Sequence, residues 1–270
     1  MTAPAPLRLH LNGDQLLSLA RRAGVHDLPA VLGIRTRHAT VQQRDDAFRR
    51  ADQTLLSQNV IADGVVHADL VAMLKALERP DRGFAVRLVT PDGSARISAV
   101  RRGSLGVLVR RVDDDVVIRL IDRGTGMDDV AQAVIAELPR AATADVQPIS
   151  APLPDMVDAL SGTGDARELA DRIRAVGSES RAAMIMGMAL AARRAFAEIV
   201  YGSLTREEDR VSRSAAAVAV FYTERGRIVA APSRSPAGQL WTTFKAGSDH
   251  AVRQALRQLV ELVDEGWESS

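Results

Sequence analysis

The feature that most constrains the fold is a pattern that occurs twice, 121 residues apart. Gly126 and Asp128 precede the helical run DVAQAVIAEL, and Gly247 and Asp249 precede the run HAVRQALRQL. Upstream of each run the hydrophobic period changes from 3.6 residues, typical of helices, to 2 residues, typical of strands. A duplicated unit of this kind predicts an α+β fold in which one continuous, mostly antiparallel sheet carries packed helices.

The first half contains three predicted helices, over residues 14–23, 40–55 and 67–78. The second of them begins at a capping box formed by Thr40 and Gln43. A meander of about four antiparallel strands follows, because apolar residues then alternate with polar ones. The run of acidic residues 113–115 predicts a solvated hairpin turn rather than a cation site, since no spaced Gly or downstream Glu completes a calcium loop.

The second half repeats this order after a connector that contains four prolines. We predict helices over residues 154–160, 165–176 and 180–201, then strands over residues 216–222, 227–231 and 239–244, and a closing helix. We therefore expect a single domain over residues 1–270, built from pseudo-repeat halves at about residues 7–142 and 153–267.

Composition excludes several classes of protein. The chain of 270 residues has no Cys, so disulfide scaffolds and thiolate-bound metal sites are impossible. The net charge of +1 gives no bulk attraction to a phosphate backbone. Lys75 and Lys245 are the only lysines among 35 basic residues, and the paired arginines lie among acidic residues without nearby aromatics. Solvated faces explain these arginines better than nucleic-acid binding does.

No local motif indicates catalysis, a cofactor or a metal. The five histidines lack the spacing of a metal site, and the Gly124–Gly126 turn lacks the third glycine of a dinucleotide fingerprint. Ser104 misses the spacing of a nucleophile elbow by one position. We therefore predict no catalytic, cofactor-binding or metal-binding residues. An enzyme with a non-local active site acting on a small-molecule substrate remains the alternative function.

The apolar segments predict neither export nor membrane insertion. The most apolar stretch, residues 182–192, is 11 residues long, well short of the roughly 20 needed to span a bilayer. Residues 1–6 have no charged or apolar region typical of a secretory signal, so we expect a cytoplasmic protein. The three methionines in the apolar stretch, Met184, Met186 and Met188, favour a buried helix over an adaptable binding surface, although both interpretations stay open.

Short motifs follow one another in a specific order along the chain, at residues 28–34, 77–82, 99–103, 217–223, 225–229, 232–234, 241–248 and 266–267. Their order and spacing resemble those of the EspG family of type VII (ESX) secretion, from mycobacteria and other GC-rich actinobacteria. The resemblance covers residues 9–267, nearly the whole chain. One departure is the sequence Phe221–Thr223, where the family often has an Asp-Thr pair before the second hairpin turn.

The resemblance implies a non-enzymatic cytosolic chaperone with a pseudo-twofold fold, in which a central antiparallel sheet is flanked by two helical bundles. Its expected partner is a PE–PPE heterodimer, bound at the apolar tip of the PPE helical bundle and kept soluble and competent for secretion. The resemblance implies neither nucleic-acid binding nor membrane insertion. It places the binding surface on the second meander, the first hairpin turn and the C-terminal helical bundle.

Site residues follow from this placement and from the physics of an apolar interface. Aromatic and Arg side chains combine apolar area with directional hydrogen-bond donors. Each prediction competes with an interpretation in which the side chain packs in the core or lies on a solvated strand. We predict apolar partner contacts from Phe221, Tyr222, Met184, Met188 and Tyr201, with Arg96 and Arg227 orienting the partner.

Overall fold

The computed structural model describes residues 8–121, 124–205, 210–263 and 266–268. The prediction about a secretory signal in residues 1–6 therefore lies outside the described residues. The chain divides into two compact units. Unit 1 consists of Met1–Ala85, Ala95–Thr125 and Ser203–Val211, and unit 2 consists of Val86–Ser94, Gly126–Gly202 and Ser212–Ser270.

The elements of the first half run from a short strand to a closing helix, and a 3-10 turn at Ala30–Leu32 lies between the first two helices. They are β1 (Arg8–Asn12), α1 (Gly13–Arg22), α2 (Val41–Ser57), β2 (Ile61–Ala62), β3 (Val65–Val66), α3 (Ala68–Glu78), β4 (Arg82–Thr90), β5 (Gly93–Arg102), β6 (Leu105–Val112), β7 (Asp115–Leu120) and α4 (Met127–Ala136).

The second half repeats the order of strand, three helices, meander and closing helix. Its elements are β8 (Ile149–Pro152), α5 (Leu153–Leu160), α6 (Ala166–Ala175), α7 (Ser180–Ala191), β9 (Arg193–Thr205), β10 (Arg210–Arg213), β11 (Val218–Thr223), β12 (Gly226–Arg234), β13 (Leu240–Ala246) and α8 (Asp249–Glu261).

The described strands other than β2 and β3 form one 11-stranded sheet. Its order is β1-β7-β6-β5-β4-β9-β11-β12-β13-β8, and β10 pairs with β9. From either end, this order meets strands that hold the same place in the two halves: β1 and β8, β7 and β13, β6 and β12, β5 and β11, β4 and β9. The α+β fold with a large, mostly antiparallel sheet, predicted from the repeated pattern, is confirmed.

The two closing helices, α4 and α8, contact each other at equivalent positions of the repeat. The Arg253 guanidinium on α8 donates a hydrogen bond to the side-chain oxygen of Gln132 on α4, and these two residues are 121 positions apart. That separation is the offset of the repeated pattern, so each residue holds the same place in its own helix. When two related helices pair isologously, equivalent residues of the two helices contact each other.

The core of unit 1 lies between its helices and strands β6 and β7. Leu16 and Leu19 on α1 are fully buried, as are Leu70 and Leu74 on α3, against strand residues that include Val107. The helix α1 begins at a capping box, because the Asn12 side chain and Gln15 satisfy each other's backbone donors. Helical periodicity thus places one apolar face of each helix on the sheet.

The core of unit 2 lies between α5, α6, α7 and strands β12 and β13. Helices α6 and α7 approach closely at Gly187, where a Cβ atom would lie 2.7 Å from the Ala170 nitrogen and 2.8 Å from the Ala166 oxygen. Only a residue without a side chain allows the two backbones to come this near. Gly187 therefore sets the spacing of α6 and α7.

The predicted helix over residues 180–201 is wrong beyond its first three turns. The helix α7 ends at Ala191, and β9 begins at Arg193. From Ala197 to Tyr201 the side chains alternate between buried and more exposed, which is the period of a strand. The apolar run that precedes β9 hid this change of period, because β-branched and aromatic residues such as Ile199 also fit a buried helix.

Smaller differences concern the ends of elements. The helix α4 begins after Gly126 rather than after Asp128, which instead lies in the first turn, where a carboxylate favours the helix dipole. The short strands β1 and β8 were not predicted. Val41, in the first turn of α2, is 65% exposed although its side chain is apolar. The acidic run forms the predicted hairpin turn, with Asp113 in the left-handed region at φ 51°.

Candidate functional site

Helix α7 presents two methionines to solvent. The side chains of Met184 and Met188 are 51% and 43% exposed, whereas Met186 is 1% exposed. Because residues four apart share one face of a helix, Met184 and Met188 form a single ridge. The helix is apolar on both faces, so its sequence alone did not distinguish the ridge from the core. We call Met184 and Met188 the methionine ridge.

A row of phenylalanines lies on the sheet that α7 packs against. Phe221 on β11 stacks on Phe244 of β13, with ring centroids 5.8 Å apart and an interplanar angle of 21°. Phe221 also pairs across the strands with Phe196 of β9. Phe244 is buried, while Phe196 and Phe221 are half-buried, and Phe221 packs against the core of unit 2. The strand β11 contacts α7, so Phe221 and the methionine ridge belong to adjoining elements.

Phe196 is the residue that the sequence analysis missed. It was assigned to a helix that does not exist at that position, and its alternation with Ala195 and Ala197 was the available signal. In an antiparallel pair, residues directly opposite lie on the same face of the sheet, so Phe196 extends the aromatic row by one strand.

Tyr222 and Arg227 form a cross-strand pair that is buried rather than exposed. The Nε of Arg227 donates to the backbone oxygen of Gly247, and its Nη2 donates to the Asp249 carboxylate at the start of α8. Burial raises the pKa of Tyr222 to about 12, although the Arg227 charge partly opposes this shift. Arg227 therefore connects β12 to the beginning of α8.

Tyr201 is buried, and Arg96 belongs to unit 1. The Tyr201 side chain is 1% exposed, and its ring lies 5.9 Å from the ring of Trp267. Arg96 is half-buried in unit 1, where its Nη1 donates to the backbone oxygen of Val31 at 3.3 Å. Of the seven predicted residues, Met184 and Met188 are thus exposed, and Phe221 lies half-buried on the adjoining strand β11.

The described residues contain neither a group of three or more His, Asp or Glu side chains placed to hold a metal ion, nor a helix long and apolar enough to cross a membrane. What they present is an exposed methionine ridge on a helix, next to half-buried aromatic rings on the sheet. Flexible methionines and aromatic residues are typical of surfaces that bind other proteins.

These features define an α+β protein whose element order repeats and whose second helical set carries an exposed methionine ridge. The chain belongs to the EspG family, whose family model matches residues 12–258. It is 28% identical to the ESX-1 secretion-associated protein EspG1 of Mycobacterium tuberculosis, over 98% of this chain and 90% of the relative. Identity to EspG1 of Mycobacterium marinum is 27%, over 94% of this chain and 88% of the relative.

A solved structure shares the fold. It contains the type VII secretion system chaperone EspG5 of Mycobacterium tuberculosis in complex with the PE25–PPE41 dimer. The TM-score is 0.80, the sequence identity is 16%, and the alignment covers 96% of this chain and 98% of the other.

Proposed function

We propose that this protein is a chaperone of type VII (ESX) secretion. It binds a PE–PPE heterodimer at the apolar tip of the PPE helical bundle and keeps the heterodimer soluble and competent for secretion. The observation that carries the proposal is family membership over residues 12–258 together with a fold match at a TM-score of 0.80 to a chaperone in complex with such a dimer. The named relatives are themselves secretion-associated proteins.

The methionine ridge and Phe221 supply the apolar contact, with Phe196 beside them. Full burial of a Met side chain stabilises by roughly 1.5–3 kcal/mol, so covering each half-exposed methionine contributes about 1 kcal/mol. Unbranched Met side chains adapt to the shape of a partner, while the stacked Phe221 ring is held by Phe244. Flexible and fixed apolar groups together fit a helical tip without requiring a preformed pocket.

Tyr201, Tyr222 and Arg227 act indirectly in this proposal. Their side chains are buried, so direct partner contact would require them to leave the core. Arg227 fixes the start of α8, and Tyr222 packs beside it. We propose that these residues keep β11 and β12 in the geometry that displays Phe221.

The proposed activity is binding without chemistry, in the cytoplasm. Neither a cofactor nor a nucleic acid is part of the proposal, and the net charge of +1 is a poor match for a polyanion. No arrangement of the described residues favours the alternative of an enzyme acting on a small molecule.

Co-expression with PE–PPE pairs encoded by the same genome tests the proposal. We expect one pair to become soluble and to co-elute with the chain on size exclusion. Met188→Asp places a charge in the proposed contact and should abolish co-elution. Val65→Asp is the matched control, because Val65 is 68% exposed on a hairpin of unit 1. Failure of every encoded pair to be solubilised, or equal loss with the Val65 variant, would contradict the proposal.

A further inference from the structure

Two arginines from neighbouring strands meet beside the 3-10 turn of unit 1. Arg96 on β5 and Arg111 on β6 lie directly opposite each other in the sheet. A Cβ atom on Gly33 would lie 2.5 Å from Nη1 of Arg96 and 3.6 Å from Nη1 of Arg111. Both guanidinium groups therefore crowd one point, and Gly33, at φ 57°, leaves room for them.

A third arginine adds to this positive charge. The pKa of Arg111 is lowered first by burial and then by the charges of Arg37 and Arg96. Asp113 and Asp114 act in the opposite direction. Within the described ranges, however, neither carboxylate forms an ion pair with any of the three arginines. Like charges placed directly opposite on a sheet are destabilising unless another group offsets them.

Backbone carbonyls use only part of the donor capacity of this cluster. Nη1 of Arg111 donates to the oxygens of Leu32 and Gly33 at 2.6 and 2.7 Å, and its Nε donates to the Asp113 oxygen at 2.7 Å. Nη2 of Arg111 has no acceptor in the described part of the chain. Arg96 makes a single bond, to the Val31 oxygen. Arg37 is exposed and has no hydrogen-bond partner among the described residues.

We propose that Arg37, Arg96 and Arg111 form a binding site for a phosphate group, either the free ion or a phosphoryl group on a larger molecule. A phosphate carries up to two negative charges and several acceptor oxygens, so one group can face three guanidinium groups at once. Binding it would relieve the repulsion between Arg96 and Arg111. The site lies in unit 1, whereas the proposed chaperone surface lies in unit 2.

The test is calorimetric titration of the full chain with inorganic phosphate at neutral pH, with sodium chloride holding the ionic strength constant. We expect saturable binding that Arg37→Gln weakens about tenfold, as the loss of one charge-assisted hydrogen bond implies. Arg37→Gln is the main variant because Arg37 supports no other residue. Arg35→Gln is the matched control, since Arg35 is an exposed arginine two positions away. Circular dichroism of each variant without phosphate verifies folding.

Two further ligands separate the sources of the anion. Binding of phenyl phosphate at least as tight as that of inorganic phosphate indicates a phosphoryl group on a larger molecule, and clearly weaker binding indicates the free ion. Either result supports a phosphate site. The proposal is overturned if phosphate shows no saturable binding, if acetate binds equally well, or if Arg35→Gln weakens binding as much as Arg37→Gln does.

Discussion

Gly187→Ala tests whether the contact between α6 and α7 depends on the missing side chain. The added Cβ would lie 2.7 Å from the Ala170 nitrogen and 2.8 Å from the Ala166 oxygen. Ordinary van der Waals contact begins at 3.4 Å, so α7 must retreat by about 0.7 Å. Both neighbours are backbone atoms, which cannot rotate away as a flexible side chain would.

Two opposing effects set the size of the change in stability. Overpacking of a tight contact destabilises by roughly 1–3 kcal/mol, and backbone neighbours favour the upper part of that range. Ala in place of Gly inside a helix stabilises by about 1 kcal/mol. We therefore expect Gly187→Ala to lower the free energy of unfolding by about 1–2 kcal/mol.

Equilibrium urea denaturation measures this difference directly. Gly164→Ala is the matched control, because a Cβ at Gly164 meets no atom within 4 Å and the backbone there is not left-handed. We expect the control to be neutral or slightly stabilised. A Gly187→Ala protein as stable as the wild type, or more stable, would refute the argument that close backbone approach fixes this residue.

Three further predictions concern buried and surface polar groups. Arg227→Gln should lower the free energy of unfolding by about 2–3 kcal/mol in urea denaturation, because the oxygen of Gly247 loses a charged donor inside the protein. The raised pKa of Tyr222 contributes stability that is present below about pH 10 and is lost as the pH rises towards 12. Between about pH 9 and pH 11 the free energy of unfolding of the wild type should therefore fall by about 1 kcal/mol more than that of Tyr222→Phe. Equal pH profiles of the two proteins would contradict this. Arg257→Gln should leave the free energy of unfolding nearly unchanged, since the pair of Arg257 with Asp128 is exposed to solvent, and a clear loss of stability would contradict this expectation.

Local sequence patterns correctly predicted the helices and strands whose hydrophobic period agrees with the turn or helix-stop residues at their ends. The helix α3 has its apolar residues at helical spacing and ends before Pro80, so its bounds followed from sequence. The hairpin at Asp113 needed no tertiary information, because a polar turn between two alternating runs is a local signal. The strand β9 was missed because neither Gly nor Pro separates α7 from it, and only pairing with a neighbouring strand fixes its conformation.

The candidate site was predicted less completely than the fold. The bundle and the second meander were placed by family resemblance, and of the seven residues Met184 and Met188 are exposed while Phe221 lies half-buried on the adjoining strand. Tyr201 and Tyr222 were chosen because aromatic residues are rare in the chain, but rarity does not determine burial. A ring in a strand points to the core or to solvent according to what packs on each face, which the sequence of the strand does not record.

The sequence by itself determined the α+β class, the repeated order of elements and the offset of 121 residues that relates Gln132 to Arg253. These properties depend on hydrophobic period and on turn residues, which act over a few neighbouring positions. Tertiary structure alone decided that Met186 is buried while Met184 and Met188 are exposed, because α7 is apolar on both faces. It also decided that the guanidinium groups of Arg96 and Arg111 meet at Gly33, since residues distant in sequence become neighbours only when strands and loops pack together.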